Sequence, residues 1–275
     1  MQAWTRWPVC PLYGQPQDTP EESDVVDEAL LGMPVTVTGP QQGSRVPVRT
    51  FYGYSGWMEA EALTAGPEAE AFAAAPRQVV WHKNSVDVLA APRVQAAYVQ
   101  PGVPRGARLA LTGPAAAGWQ PVCLPDGRRG YVCASALGPL YTAPCTREPA
   151  ALRRALTDTA RLYRGTQYRW GGKSPFGIDC SGLCSMAYLL CGIVIWRDAG
   201  LKEGYPIRKI PLAELREGDL LYFPGHIAMY LGAGLYIHAT GRAGDDGVTV
   251  NSLYADSPLY RPDLPGKITA AGSYF

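Results

Sequence analysis

The chain has 275 residues, long enough for two or three domains, and its 47% apolar content can bury a sizeable core and rules out wholesale disorder. Its 25 Lys and Arg almost cancel 24 Asp and Glu, leaving +1, which argues against a nucleic-acid backbone or an anionic membrane surface as the main partner. Gly (31) and Pro (25) form about a fifth of the sequence, so many short strands and turns are expected rather than a helix bundle.

In chain order, the N-terminal stretch Met1 to Pro8 lacks the apolar core of a signal peptide. A repeat follows: at an offset of 74, Thr38-Gly39-Pro40 falls on Thr112-Gly113-Pro114 and Pro47-Val48 on Pro121-Val122. Val35 and Val37 meet Leu109 and Leu111, and Gly53, Gly56, Trp57 and Leu63 meet Gly127, Gly130, Tyr131 and Leu137. Alternating apolar residues punctuated by Gly, Pro and Asp predict a duplicated small all-β module over 1–65 and 77–140. Residues 65–76, rich in Ala and Glu, read as a linker or short helix, and Pro139, Pro144 and Pro149 mark a second boundary. From 146 to 275 the pattern changes. Leu152, Ala155, Leu156, Thr159, Ala160 and Tyr163 share one helical face, a second helix is expected from Cys180 to about Gly192, and strands are expected over 219–223, 226–232, 235–240 and 247–252. The fold class is therefore α+β: two β modules followed by a mixed domain.

No membrane span is expected. The longest apolar run, Leu183 to Trp196, falls short of the roughly 18 residues required and reads as a buried helix running into a strand. Seven cysteines without a Cys-x-x-Cys pair suit a reducing compartment, so a cytoplasmic location is expected unless a leader has been removed. No pair of cysteines has zinc-site spacing, and no metal or organic cofactor is implied.

Chemistry concentrates on one thiol and two imidazoles. His226 and His238 flank Gly232 in a candidate hairpin, and side chains alternate along strands, so both point away from the face of Ile227, Met229, Ile237 and Ala239. Such a pair can act as base and orienter; two half-buried strand histidines without a role fit equally. Cys180 opens the second helix of this domain, where the helix dipole and unpaired N–H groups favour the thiolate and can hold an oxyanion. Its alternative is a small buried apolar residue, the reading given to Cys184 and Cys191. His82 is read as a surface or barrel residue, and Trp4, Trp7, Trp81 and Trp119 as core fillers of the small barrels, with an aromatic groove for sugar or peptide as their alternative.

Tyr168-x-Trp170-Gly171-Gly172, Asp179-Cys180-Ser181-Gly182, Gly218-Asp219-Leu220-Leu221-Tyr222-Phe223, His226-Ile-Ala-Met-Tyr-Leu-Gly232 and Tyr236-Ile237-His238-Ala239 resemble, in order, the signatures of the NlpC-type cysteine peptidases of cell walls, a compact papain-like family. The resemblance spans roughly 148–275, and the duplicated module resembles the bacterial SH3-like domains that often precede such peptidases. By architecture the similar subfamily is the γ-D-glutamyl-L-diamino-acid endopeptidases that recycle murein peptides. The resemblance implies that Cys180 attacks the γ-D-Glu–diamino-acid carbonyl, that His226 accepts and returns its proton, and that His238 orients His226. It implies a substrate pocket of Tyr168, Trp170, Asp179, Ser181 and Asp198, with Asp179 holding the free N-terminal amine of L-Ala; a plain helix N-cap is the alternative for Asp179. The family's Pro-Arg-Asp segment reads Trp196-Arg197-Asp198 here, which puts the loop path in question. Tyr54, in Gly53-Tyr54-Ser55-Gly56-Trp57, matches an aromatic that the first module of the subfamily lends to the cleft, and a surface role is its alternative. The acidic partner from that module is not identified, although Glu28 lies near.

Two classes of function follow. One is a cysteine endopeptidase acting on released murein peptides, with a module capping the cleft. Within that class, remodelling of intact peptidoglycan and acyl transfer are the alternatives. The other is a non-catalytic protein that binds wall peptide. The diamino acid, meso-diaminopimelate or L-Lys, and the oligomeric state are not specified by the sequence.

Overall fold

The computed structural model describes residues 1–17 and 24–275, which form two compact units, Met1–Leu140 and Tyr141–Phe275. It is mostly β, with few helices.

In the first unit, β1 (Gln2–Thr5), β2 (Val9–Tyr13), β3 (Val25–Leu30), β4 (Pro34–Val37), β5 (Arg45–Thr50), β6 (Ser55–Glu59) and β7 (Leu63–Thr64) form one antiparallel sheet in the order β3-β2-β6-β5-β4-β1-β7. After helix α1 (Pro67–Ala74), β8 (Arg77–Val80), β9 (Ser85–Leu89), β10 (Tyr98–Pro104), β11 (Arg108–Leu111), β12 (Trp119–Cys123), β13 (Arg129–Cys133) and β14 (Leu137–Pro139) repeat that order strand for strand. Repeat-related residues play matching parts. Val35 and Leu109 are buried, as are Val48 and Val122. A Cβ on Gly56 would lie 2.6 Å from the Tyr13 carbonyl oxygen, and one on Gly130 would lie 2.5 Å from that of Leu89. In both copies the glycine lets two strands approach closely, which explains its place in the repeat.

The stretch read as linker or helix is α1. Pro67 opens it and Glu68 and Glu70 occupy its first turn, where acidic charge suits the helix dipole. It buries Ala69 and Phe72 against Trp4 of the first module and Ala110 of the second. Of the four tryptophans expected as core residues only Trp4 is buried; Trp7 and Trp81, outside the strands, and Trp119, on β12, are half-buried.

In the second unit, α2 (Pro149–Arg161) starts where Glu148 accepts hydrogen bonds from the N–H groups of Ala150 and Ala151, and it buries Leu152, Leu156, Thr159 and Ala160. The short strands β15 (Lys173–Ser174) and β16 (Gly177–Ile178) form the turn before α3 (Cys180–Leu190). Next come β17 (Arg208–Ile210), β18 (Leu220–Phe223), β19 (His226–Gly232), β20 (Leu235–Thr240), β21 (Gly247–Ser252) and β22 (Ala270–Ser273), in sheet order β17-β22-β18-β19-β20-β21. The expected four-strand meander is present, and the C-terminal strand inserts between β17 and β18. The expected strand after Leu183 is not formed. The chain turns at Gly192, the Ile193 N–H returns to the Tyr188 carbonyl, and Cys191 accepts from the Cys145 N–H, so residues 193–196 pair with no strand. The face bearing the histidines is packed as well: Phe223, Ala228 and Tyr236 form a cluster with Leu221 and Leu264. No helix among the described residues is long and apolar enough to cross a membrane.

Candidate active site

Cys180 is the first residue of α3 and 6% exposed, and the backbone N–H groups of Ile227 and Ser181 lie near enough to its sulfur to favour the thiolate. Ile227 follows His226 at the start of β19, so the thiol rests on the strand end that carries the first histidine. Met229 pairs with Ile237 and Tyr230 with Tyr236. Continuing that register sets Ala228 opposite His238, which makes His226 and His238 diagonal neighbours on one face. Their rings meet edge to face with Nε2 of His226 2.8 Å from Nδ1 of His238. Nε2 of His238 lies 2.7 Å from Oδ1 of Asn251.

This chain fixes the tautomers. The Asn251 amide nitrogen donates to the Leu259 carbonyl at 3.2 Å, so its oxygen faces His238 and His238 carries its proton on Nε2. Neutral His238 then offers a lone pair at Nδ1, which His226 meets with Nε2–H. Nδ1 of His226 is left as an unprotonated base. Sequence reasoning missed Asn251. It lies in the expected strand 247–252, paired with Tyr236, and the register of that strand carries the signal.

Burial pulls His226 down to about 3, helped by His238 and Arg261, and burial pulls His238 down to about 4 against the hydrogen bond that it donates to Asn251. Burial first, and Asp179 second, push the Cys180 thiol up to about 11, despite the lowering effect of the Ile227 N–H, Arg197 and the Ser181 N–H. The sequence expectation of a favoured thiolate is thereby corrected. The helix N-terminus is present, but the sulfur is too deeply buried for it to prevail.

Asp179 is the N-cap of α3, accepting the Gly182 N–H at 2.6 Å. Its second oxygen accepts the Gly171 N–H at 3.0 Å, and Ser181 Oγ donates to the first at 3.1 Å. Arg197, fully buried, grips both oxygens at 3.0 and 2.9 Å and also donates to Ser181 Oγ at 2.7 Å and to the Gly171 carbonyl at 3.0 Å. An incoming ammonium would have to displace one of these donors. The geometry therefore gives Asp179 and Ser181 an architectural place, set by a cation that the replaced Pro-Arg-Asp segment retains. A Cβ at Gly182 would lie 2.2 Å from the Gly172 carbonyl oxygen, and one at Gly172 would lie 2.5 Å from that of Gly177, which accounts for a glycine in each motif.

Tyr168 is half-buried; burial, Cys180 and Asp179 push its phenol up to about 12. Trp170 is exposed beside the anchored Gly171, and Asp198 is exposed beside the buried Arg197. Tyr54 is half-buried in a turn of the first unit, its N–H donating to Thr50 Oγ1. Glu28 is buried in β3, and Asp27 beside it takes the hydroxyl of Tyr52. His82 is exposed, while Cys184 and Cys191 are buried.

A nucleophile at a helix start, backed by a strand-borne imidazole chain, defines a cysteine peptidase site. Residues 165–261 match the NlpC/P60 family. Over 96% of its length, and 96% of the relative, the chain is 41% identical to a dipeptidyl-peptidase 6 of Lysinibacillus sphaericus. It is 30% identical to a gamma-D-glutamyl-L-lysine dipeptidyl-peptidase of Bacillus cereus, over 77% of this chain and 66% of that one. The crystal structure of an NlpC/P60 family protein from Bacillus cereus has the same fold, with a TM-score of 0.80 over 100% of this chain and 99% of that one at 23% identity. The chain belongs to the NlpC/P60 family and is a peptidase of that family.

Proposed function

We propose that this peptidase hydrolyses the γ-D-Glu–L-diamino-acid bond of short murein peptides with a free N-terminal L-Ala, releasing L-Ala–γ-D-Glu in the recycling of wall peptides. The observation that carries the chemistry is the Asn251–His238–His226 chain, which leaves one basic ring nitrogen at the strand end where the Cys180 sulfur rests. The bond specificity is inferred from relatives that are named for dipeptidyl-peptidase activity.

As the substrate carbonyl approaches, Nδ1 of His226 takes the thiol proton while sulfur bonds to the carbonyl carbon. Backbone N–H groups at the start of α3 hold the oxyanion. Protonated His226 then gives its proton to the departing diamino-acid amine. Water adds to the thioester, losing a proton to His226, and the acid leaves as Cys180 regains its hydrogen. His238 and Asn251 keep His226 in the working tautomer throughout. Asp198, exposed beside the buried Arg197, is the carboxylate assigned to the substrate ammonium, with Tyr168 and Trp170 of the same unit assigned to the substrate pocket.

The test is mass spectrometry of products from L-Ala–γ-D-Glu–meso-diaminopimelate, its L-Lys counterpart and their N-acetylated forms, with Cys180→Ala as control. Release of L-Ala–γ-D-Glu from the free forms alone is expected. Cleavage of acetylated substrates as well would move the reading to remodelling of intact wall, and turnover by Cys180→Ala would end the mechanism.

A further inference from the structure

The first unit holds a feature that neither the peptidase chemistry nor the repeat explains. Between its two β modules lies a cavity of about 520 Å3 lined by Gln2, Trp4 and Pro34 of the first, Glu70 of α1, and Arg77 and Arg108 of the second. Ala110 pairs with Arg77, so Arg108, two residues before Ala110 on β11, shares the face of Arg77. Arg108 is nine-tenths buried, its guanidinium stacked 4.6 Å above the Phe51 ring, and its backbone N–H donates to the Leu31 carbonyl.

Neither guanidinium has a hydrogen-bonded or ion-paired side chain among the described residues. Arg77 lies over Phe72, at 5.8 Å. The indole N–H of Trp4, buried in the same wall, also lacks an acceptor among the described residues. Burial, and secondarily the repulsion of Arg77, pull Arg108 down to about 10, with the Tyr52 phenol acting the other way. A buried cation without a counter-charge is costly and is normally paired. The module does not require it either: at the repeat-related position the first copy has Pro34, on the same cavity wall. Two cations against the single carboxylate of Glu70 leave the lining positive.

We propose that this cavity is a binding site for a small oxyanion, carboxylate or phosphate, gripped by the forks of Arg108 and Arg77 with the Trp4 N–H beside them. The planar guanidinium offers paired donors matched to both groups.

The test is calorimetric titration of the full chain with inorganic phosphate and, separately, with glutarate, repeated on Arg108→Met and Arg77→Gln. Saturable binding of at least one probe is expected, weakened roughly tenfold or more by Arg108→Met. Binding of phosphate alone identifies a phosphorylated ligand, of glutarate alone a carboxylate ligand, and of both the shared chemistry. The bound anion should also raise the thermal midpoint of the wild type and not that of Arg108→Met, which separates it from general salt stabilisation. If Arg108→Met does not fold, the half-buried Arg77→Gln serves the same comparison. Absence of saturable heat with either probe, or equal heat in the variants, overturns the site.

Discussion

Arg197→Met tests whether one buried cation organises the nucleophile's surroundings. The substitution keeps the length and apolar bulk of the side chain but removes at least four donor contacts, among them two to Asp179 and one each to Ser181 and the Gly171 carbonyl. It leaves a buried carboxylate with three donors, the N–H groups of Gly171 and Gly182 and the Ser181 hydroxyl. Breaking a buried pair by removing one partner costs about 3–5 kcal/mol, and the remaining donors set the expectation near the lower end, about 3 kcal/mol. Urea unfolding of the reduced protein measures this directly. Asp179→Asn should cost a comparable amount because it strands Arg197. The double variant should cost clearly less than the two together, with a coupling of about 2 kcal/mol or more. A loss below about 1 kcal/mol in Arg197→Met, or additive costs in the cycle, would refute the reasoning. Arg197 would then be a bystander to the fold of this loop.

Three further outcomes are expected. Asn251→Ala, which frees the tautomer of His238, should lower kcat roughly 10²-fold with KM little changed; a KM effect alone would make Asn251 a substrate contact. The folded state holds His238 near 4 and His226 near 3 against 6.5 for an ordinary histidine, so the unfolded chain binds more protons below pH 6.5. Stability is therefore full above pH 6.5 and lost as the pH falls towards about 4, by about 3 kcal/mol from His238 alone; urea midpoints at pH 7 and 4.5 check it, and a flat profile would contradict it. Finally, iodoacetamide labelling of Cys180 should keep accelerating beyond pH 9, since burial and Asp179 push its thiol up to about 11; a plateau below pH 7 would instead reveal a resting thiolate.

Much of this was legible in the sequence because its signals are local. Alternation alone placed His226 and His238 on one face, and the offset of 74 anticipated two sheets with one strand order. The less legible parts depend on distant pairing. β22 joins β18 across some fifty residues, and nothing in Ala270–Ser273 announces its neighbour. Arg197 lies outside any periodic element, so its burial follows only once the Gly171 and Asp179 loops are folded around it. Asp179 illustrates a different limit. Its identity is compatible with both a cap and a ligand, and the cap becomes visible only in the donors gathered around its two oxygens.

The site as a whole is electrically quiet before substrate arrives. Burial and Asp179 push the thiol up to about 11 and burial pulls the imidazole that would receive its proton down to about 3, so each group by itself favours its neutral form in the free protein. Asp179, the nearest fixed negative charge, is already answered by Arg197. Reactivity must then arise as the carbon–sulfur bond forms, when negative charge moves off the buried sulfur onto an oxygen facing the start of α3. Proton transfer to His226 is drawn along by that movement. What the fold supplies in advance is therefore direction: a buried sulfur at the start of α3, and an imidazole held by His238 and Asn251 with its vacant nitrogen in one place. A buried thiol that stays protonated at rest is also slow to react with oxidants and alkylating agents, since the thiolate is the nucleophile. The same burial that makes the nucleophile weak in isolation thus confines its reactivity to a bound peptide.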